Sequence, residues 1–139
     1  MSKPTLLLLK GLPCSGKTEF ARNWADRSDR IRVSWSDILD MLGERFRKER
    51  RVIAVDTAIR AMCVALKEGK SVVLDECNLH GSSFGIFLGR AQQLGARIVW
   101  HNMEQCADEC KRRNAQYGHP VDDILIDYLA EKYSVWLKA

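Results

Sequence analysis

Eight residues near the start of the chain, Gly11-Leu12-Pro13-Cys14-Ser15-Gly16-Lys17-Thr18, match the pattern G-x-x-x-x-G-K-[ST] in full. Glycines let such a segment curl until successive N–H groups point inward and cradle an oxyanion. A helix beginning at the lysine adds the positive end of its dipole. In that arrangement Lys17 reaches the β- and γ-phosphates of a nucleotide, and the Thr18 hydroxyl ligates Mg2+. Gly11, Pro13, Cys14, Ser15, Gly16, Lys17 and Thr18 are the expected contacts of an NTP, either ATP or GTP. A tight strand-to-helix turn with a stray lysine would spell the same letters. The flanks decide between the two, because an apolar strand precedes the motif and an amphipathic helix follows it.

Phosphoryl transfer also needs a group that takes the proton of an acceptor hydroxyl. Asp37, just past the second strand in Val33-Ser34-Trp35-Ser36-Asp37, has the right place for it, since ligands bind beyond the C-terminal ends of parallel strands. The plainer reading is a first-turn aspartate that complements a helix dipole. Asp75 closes the apolar run Val72-Val73-Leu74 and either holds a Mg2+-bound water or only positions Thr18 or Ser15 by hydrogen bonding. Asn78, three residues on, bonds either backbone or substrate. Cations near the departing phosphate are expected from Lys111-Arg112-Arg113-Asn114, which ends a helix before the Gly118-His119-Pro120 break. Arg112 and Arg113 are the nucleotide-contacting candidates there, on a small lid around 110–120.

These residues need a frame. Thr5–Leu9 reads as a buried parallel strand, Ile31–Val33 and Ser71–Leu74 as two more, and Arg97–Trp100 as a fourth. Helical spacing predicts helices over 17–27, from an N-cap at Ser36, over 52–67, 83–94, 105–116 and 122–137. The last carries Ile124, Leu125, Tyr128, Leu129 and Trp136 on its apolar side. Alternating strands and helices predict an α/β domain, with a parallel sheet of about four strands and helices on both faces.

The chain has 139 residues, with 46% hydrophobic and 29% charged residues, enough for one ordinary domain with its own core. No apolar run approaches a membrane span, and Met1-Ser2-Lys3-Pro4 does not read as a secretory signal. Five cysteines without CxxC spacing fit a reduced, cytoplasmic setting. Cys106 and Cys110 share a helix face, as small apolar residues or as metal ligands, and Cys14 and Cys77 flank the phosphate site as inert thiols or oxidisable ones. A switch GTPase would need a base-reading motif such as N-K-x-D, which the chain lacks. The net charge is +4, and residues 41–70 carry eight basic against four acidic side chains, concentrated at Arg45-Phe46-Arg47-Lys48-Glu49-Arg50-Arg51. That stretch is either a solvated helix face or a contact for a polyanion. Arg45, Arg47 and Arg51 are the candidate substrate grips. Trp35, beside Asp37, either stacks a terminal base or belongs to the core rim.

The chain resembles the 5′-kinase domain of the polynucleotide kinases and kinase-phosphatases of nucleic-acid repair. The resemblance rests on the G-L-P-x-S-G-K-T loop at Gly11–Thr18, the S-D turn at Ser36-Asp37, the D-x-x-N-L stretch at Asp75–Leu79, the R-N pair at Arg113-Asn114 and the proline-led last helix from Pro120. It covers nearly the whole chain and implies one three-layer P-loop kinase domain over 1–139. It further implies that Asp37 is the general base for a 5′-hydroxyl, that Lys17 and Arg113 neutralise phosphates, and that Thr18 holds Mg2+. Two positions depart from the family pattern. An arginine often found three residues past the base is Asp40 here, and a second lid arginine is Tyr117. No 3′-phosphatase activity is expected of these residues.

The expected activity is transfer of the γ-phosphate of an NTP to the 5′-hydroxyl end of DNA or RNA. A small-metabolite kinase of sugar-acid or nucleoside type on the same scaffold is the alternative. A nucleotide-dependent binding or toxin-like module without hydroxyl transfer is a third reading. No membrane partner is expected, and a chain this short leaves room for a homodimer that completes the groove.

Overall fold

A computed structural model describes residues 3–139. Met1 and Ser2, part of the stretch read as lacking a secretory signal, lie outside the described residues. The elements run β1 (Thr5–Lys10), α1 (Lys17–Trp24), β2 (Arg30–Val33), α2 (Trp35–Leu42), α3 (Lys48–Lys67), β3 (Ser71–Leu74), α4 (Gly81–Gln93), β4 (Arg97–Asn102), α5 (Ala107–Gln116), α6 (Asp123–Lys132) and α7 (Ser134–Lys138). The four strands form one parallel sheet in the order β2-β3-β1-β4.

The run Leu6–Leu9 works as two faces of one strand. Leu6 and Leu8 pack with Val72, Leu74, Met62 and Phe87 beneath α3 and α4. Leu7 and Leu9 pack with Val73 and Ala21 beneath α1. Successive side chains of a strand point to opposite faces, so a strand covered on both sides must be apolar throughout. The chain leaves β1 toward one face and β3 toward the other, which opens a crevice at their C-terminal ends.

Several boundaries move from the sequence expectation. Helix α2 starts two residues earlier, with Ser34 rather than Ser36 as its N-cap, because the Ser34 hydroxyl accepts the Asp37 N–H at 3.2 Å. Helix α3 begins at Lys48 and buries Ala54, Ala58, Met62, Ala65 and Leu66, while Ile53 faces outward. The helix expected over 122–137 breaks at Tyr133. Ile126, not Ile124 or Leu125, is the side chain it buries, against Leu12 and Cys110. The break turns Trp136 back onto Phe84, stacked at 5.6 Å, and lets its indole N–H donate to the Asn78 carbonyl at 2.9 Å. No helix among the described residues is long and apolar enough to cross a membrane.

Candidate active site

The phosphate loop leaves β1 and is closed on three sides. The Gly11 N–H donates to the Cys77 carbonyl at 3.1 Å, which ties the loop to the segment after β3. A Cβ on Gly11 would stand 2.8 Å from both the Ser15 hydroxyl and Met103 Cβ, so only glycine fits there. Cys14 and Gly16 both take positive φ, 64° and 94°, and curl the backbone before α1. Lys17 Nζ donates to the Leu12 carbonyl at 2.6 Å and to the Ser15 hydroxyl at 3.4 Å, arched back over the loop.

A cleft of about 550 Å³ opens on this loop, lined by Cys14, Gly16, Lys17, Thr18, Arg113 and Tyr117, with Glu19, Arg22 and Asn23 from the first turns of α1. Arg113 Nη1 sits 2.9 Å from the position a Cβ on Gly16 would take, so the α5 arginine lies directly over the loop. Its Nε donates to Glu109 Oε1 at 3.1 Å. Glu109 also takes two bonds from Arg112, at 2.8 and 2.6 Å, and these, with the Arg113 bond, pull its carboxyl down to about 2. Arg112, expected at the nucleotide, is instead exposed, paired with Glu109 and not among the cleft's lining side chains. Neighbouring residues on a helix point about 100° apart, so one of the pair faces the loop and the other does not.

Two strand spacings from β1, about 10 Å across the sheet, β2 ends and α2 begins. Asp37 stands in the first turn of α2 with its side chain 52% exposed. Arg32 Nη1 donates to Asp37 Oδ2 at 2.7 Å. Arg32 Nε and Nη2 both reach Asp75 Oδ2, at 2.8 and 2.7 Å. Burial opposes the Arg32 charge, but the bonds to Asp37 and Asp75 outweigh it and raise its pKa. Glu76 accepts from the Ser34 hydroxyl at 3.0 Å and from the Ser36 N–H and hydroxyl at 3.0 and 2.6 Å. Burial pushes Glu76 above the usual carboxylate range, against the pull of these serine bonds.

Four of the expected site residues are held by partners within the chain. Asp75 bonds neither Thr18 nor Ser15 but pairs with Arg32. Asn78 donates from Nδ2 to the carbonyls of Leu9, Leu74 and Glu76 at 2.6, 3.3 and 3.2 Å, so its amide donors bind backbone rather than substrate. Arg45 pairs with Asp40, and Arg47 pairs with Glu44 at 3.0 Å. Arg51 remains next to the site. Its guanidinium lies 5.7 Å over the Trp35 ring, and both line a groove of about 740 Å³ with Phe46, Val55, Ile59 and Ile86. Trp35 packs on the core beneath and faces the groove above.

Arg32, Glu76 and Glu109 escape the sequence reading. An arginine inside a short parallel strand is a usable signal, because a charge at a half-buried strand position needs a partner. Glu109 is legible as the acid four residues before Arg113. Cys14 sits close to Asn114, with its thiol raised by burial despite Lys17, and Cys110 is pushed up to about 11 by burial. Among the described residues no group of three or more His, Cys, Asp or Glu side chains could hold a metal ion, so Cys106 and Cys110 are not part of such a cluster.

The parallel sheet, the curled loop at the end of its central strand and the lysine and arginine converging on that loop define a P-loop kinase-like α/β domain. A family model matches residues 6–132, and the chain belongs to that family, AAA_33, described as an AAA domain. The solved Pnkp1/Rnl/Hen1 RNA repair complex contains a chain of the same fold, with TM-score 0.86 and 19% identity over 99% of this chain and 46% of that one. A second structure of the Pnkp1/Rnl/Hen1 complex gives TM-score 0.72 and 22% identity over 81% of this chain and 40% of that one. This chain thus spans less than half the length of either. The Mycobacterium tuberculosis APS kinase CysC, in complex with AMPPNP and APS, gives TM-score 0.63 and 15% identity over 85% of this chain and 73% of that one. At such identities the likeness is one of fold. It agrees in fold with the family resemblance drawn from the motifs. No curated protein matches the sequence.

Proposed function

We propose that this protein is a polynucleotide 5′-hydroxyl kinase, which moves the γ-phosphate of ATP or GTP to the 5′-hydroxyl end of a DNA or RNA strand. The observation that carries the reading is the position of Asp37. A half-exposed carboxylate stands two strands from the phosphate loop, in the same first turn of α2 as Trp35, which lines a groove with Phe46 and Arg51. The rings of Trp35 and Phe46 suit the stacking of bases, and Lys48 and Arg51 in the same largely apolar groove suit the phosphates of a strand.

In the proposed reaction the loop amides and Lys17 hold the β- and γ-phosphates, and Lys17 gives up its bond to the Leu12 carbonyl to do so. Arg113, braced by Glu109, faces the charge that spreads over the transferring group. Asp37 accepts the proton of the attacking hydroxyl through an oxygen not held by Arg32. The exposed Thr18 hydroxyl at the cleft fits a Mg2+ ion, which when bound neutralises phosphate charge. Asp75, whose Oδ2 is taken by Arg32, has only Oδ1 to offer a water on that ion. The end of α5 and the turn to α6 act as the lid of one kinase domain over 1–139.

A second reading, a small-metabolite kinase, draws support from the pairing of Arg45 with Asp40 and Arg47 with Glu44, which spends charge that a polyanion would use. Incubation with γ-labelled ATP or GTP and 5′-hydroxyl oligonucleotides of DNA and RNA tests the choice, with 5′-phosphorylated oligonucleotides as blocked controls. Label on the 5′-hydroxyl strands alone supports the proposal. Its absence from both nucleic acids, with nucleotide binding intact, overturns it.

A further inference from the structure

Arg32 joins two carboxylates that the sequence gives different tasks, and it does so along a gradient of burial. The Asp75 side chain is 3% exposed, that of Arg32 18% and that of Asp37 52%. A buried carboxylate requires a partner, and Asp75 has it in the Nε and Nη2 of Arg32. The guanidinium is a rigid planar fork, so fixing Nε and Nη2 on Asp75 also fixes the direction of Nη1, which donates to Asp37 Oδ2 at 2.7 Å. Among the described residues no hydrogen bond reaches the other oxygen, Asp37 Oδ1.

The next residue along the chain grips the same segment independently. Glu76 holds the Ser34 hydroxyl and both the N–H and hydroxyl of Ser36, the residues on either side of Trp35 and just before Asp37. Two adjacent acids at the end of β3 thus secure the first turn of α2, Asp75 through the side chain and Glu76 through the turn itself. Three cations of the basic run are engaged elsewhere: Arg45 on Asp40, Arg47 on Glu44 and Arg50 on the Leu42 carbonyl.

We infer that Arg32 and Asp75 form a positioning unit for Asp37, in which buried Asp75 sets the guanidinium and the guanidinium turns Asp37 Oδ1 toward the acceptor hydroxyl. This rests on the reading of Asp37 as the proton acceptor. It assigns Asp75 to the base rather than to the metal, and it makes Arg32, a residue of β2, the cation that serves Asp37. Such a unit acts on the rate of transfer and not on the hold on nucleotide, which lies at the phosphate loop.

The test uses the full chain with Arg32→Gln, Arg32→Lys, Asp75→Asn, Asp37→Asn and the Arg32→Gln/Asp75→Asn pair. The readouts are kcat for transfer to a 5′-hydroxyl oligonucleotide, the dissociation constant of a fluorescent ATP analogue, and the Mg2+ concentration for half-maximal rate. Misplacing a reacting group by about 1 Å lowers rate by about 100-fold. Arg32→Gln and Asp75→Asn are each expected to lower kcat by about 10- to 100-fold while ATP-analogue affinity stays within about twofold, and the pair is expected to be no worse than either. Arg32→Lys keeps a charge for Asp75 and so keeps the fold, but it lacks the fork. It is expected to lose most of the rate at a near-native melting temperature, which separates positioning from structure should Arg32→Gln fail to fold. Near-native kcat in Arg32→Lys, multiplying losses in the pair, or a Mg2+ requirement raised by Asp75→Asn alone would each overturn the inference. Those results with an inactive Asp37→Asn leave the base reading standing, whereas an active Asp37→Asn removes both.

Discussion

Asn114 and Val121 face each other across the turn after α5 and are joined twice. Asn114 Nδ2 donates to the Val121 carbonyl at 2.8 Å, and the Val121 N–H donates back to Asn114 Oδ1 at 3.3 Å. Asn114 is fully buried, and its Nδ2 also reaches Asp123 Oδ1 at 2.9 Å. The residue after Arg113 therefore ties the end of α5 to the start of α6, and the arginine above the phosphate loop stands on a braced turn.

Replacing Asn114 with Ala removes the amide and leaves the Val121 groups without their partner. Loss of a buried hydrogen-bonding group costs about 1–3 kcal/mol, so Asn114→Ala is expected to lower unfolding stability by that amount in urea titrations. Because Arg113 precedes the brace, weaker nucleotide binding by the folded variant should accompany the loss. Unchanged stability would mean that the turn is held by α6 packing alone.

Arg112 and Arg113 are adjacent in sequence but opposite in consequence. Arg113 lines the phosphate cleft, and Arg112 lies exposed on Glu109. Arg113→Ala is expected to lower phosphoryl transfer by about 100-fold, the usual effect of removing a charge aimed at a developing anion. Arg112→Ala removes an exposed ion pair, which contributes little, and should leave transfer within about twofold. Parallel kcat/KM measurements on the two variants check the assignment, and equal losses would contradict it.

How much of this was legible in the sequence follows from how far each contact reaches along the chain. The phosphate loop, the apolar strands and the order of helices are local patterns, and the architecture follows from them. The phase of Arg112 against Arg113 was not legible, because it depends on which face of α5 meets the loop. Nor was the surroundings of Asp37. Arg32 meets Asp75 43 positions away, and Ser36 meets Glu76 40 positions away, and no spacing rule connects such pairs. The basic run at 45–51 looked like available charge, yet Asp40 and Glu44, just before it, take up two of its arginines. The last helix reads in sequence as having Ile124, Leu125, Tyr128 and Leu129 on its apolar side, and only docking against Leu12 and Cys110 selects Ile126.

Lys17 has a structural as well as a chemical position, since its Nζ closes the loop on the Leu12 carbonyl. A nucleotide must break that bond and replace it with phosphate oxygens. Lys17→Ala is expected to lower transfer by about 100-fold or more and to abolish the rise in melting temperature that added ATP gives the wild-type chain. Calorimetry or dye-monitored melting with and without ATP checks it. A full ATP-dependent shift in the variant would show that the loop amides alone hold the phosphates.

Two carboxylates in this structure respond to pH in opposite senses. Burial raises Glu76 above its ordinary value of 4.5, so the folded chain holds that proton more tightly than the unfolded chain. Its contribution to stability is complete below about pH 4.5 and is lost as pH rises through the raised folded value. Glu109, held by Arg112 and Arg113, is pulled down to about 2, so its contribution is present above 4.5 and is lost as pH falls toward 2. Glutamine mimics a protonated carboxyl and can keep the serine contacts made by Glu76. Relative to wild type, Glu76→Gln is therefore expected to gain stability as pH rises from 4 to 7. Glu109→Gln should lose ground relative to wild type as pH rises from 2 to 5. Urea unfolding of both variants across these ranges measures the two differences. A pH-independent difference for Glu76→Gln would mean that the bonds from Ser34 and Ser36 offset the burial of Glu76 completely, so that it titrates as it does in the unfolded chain.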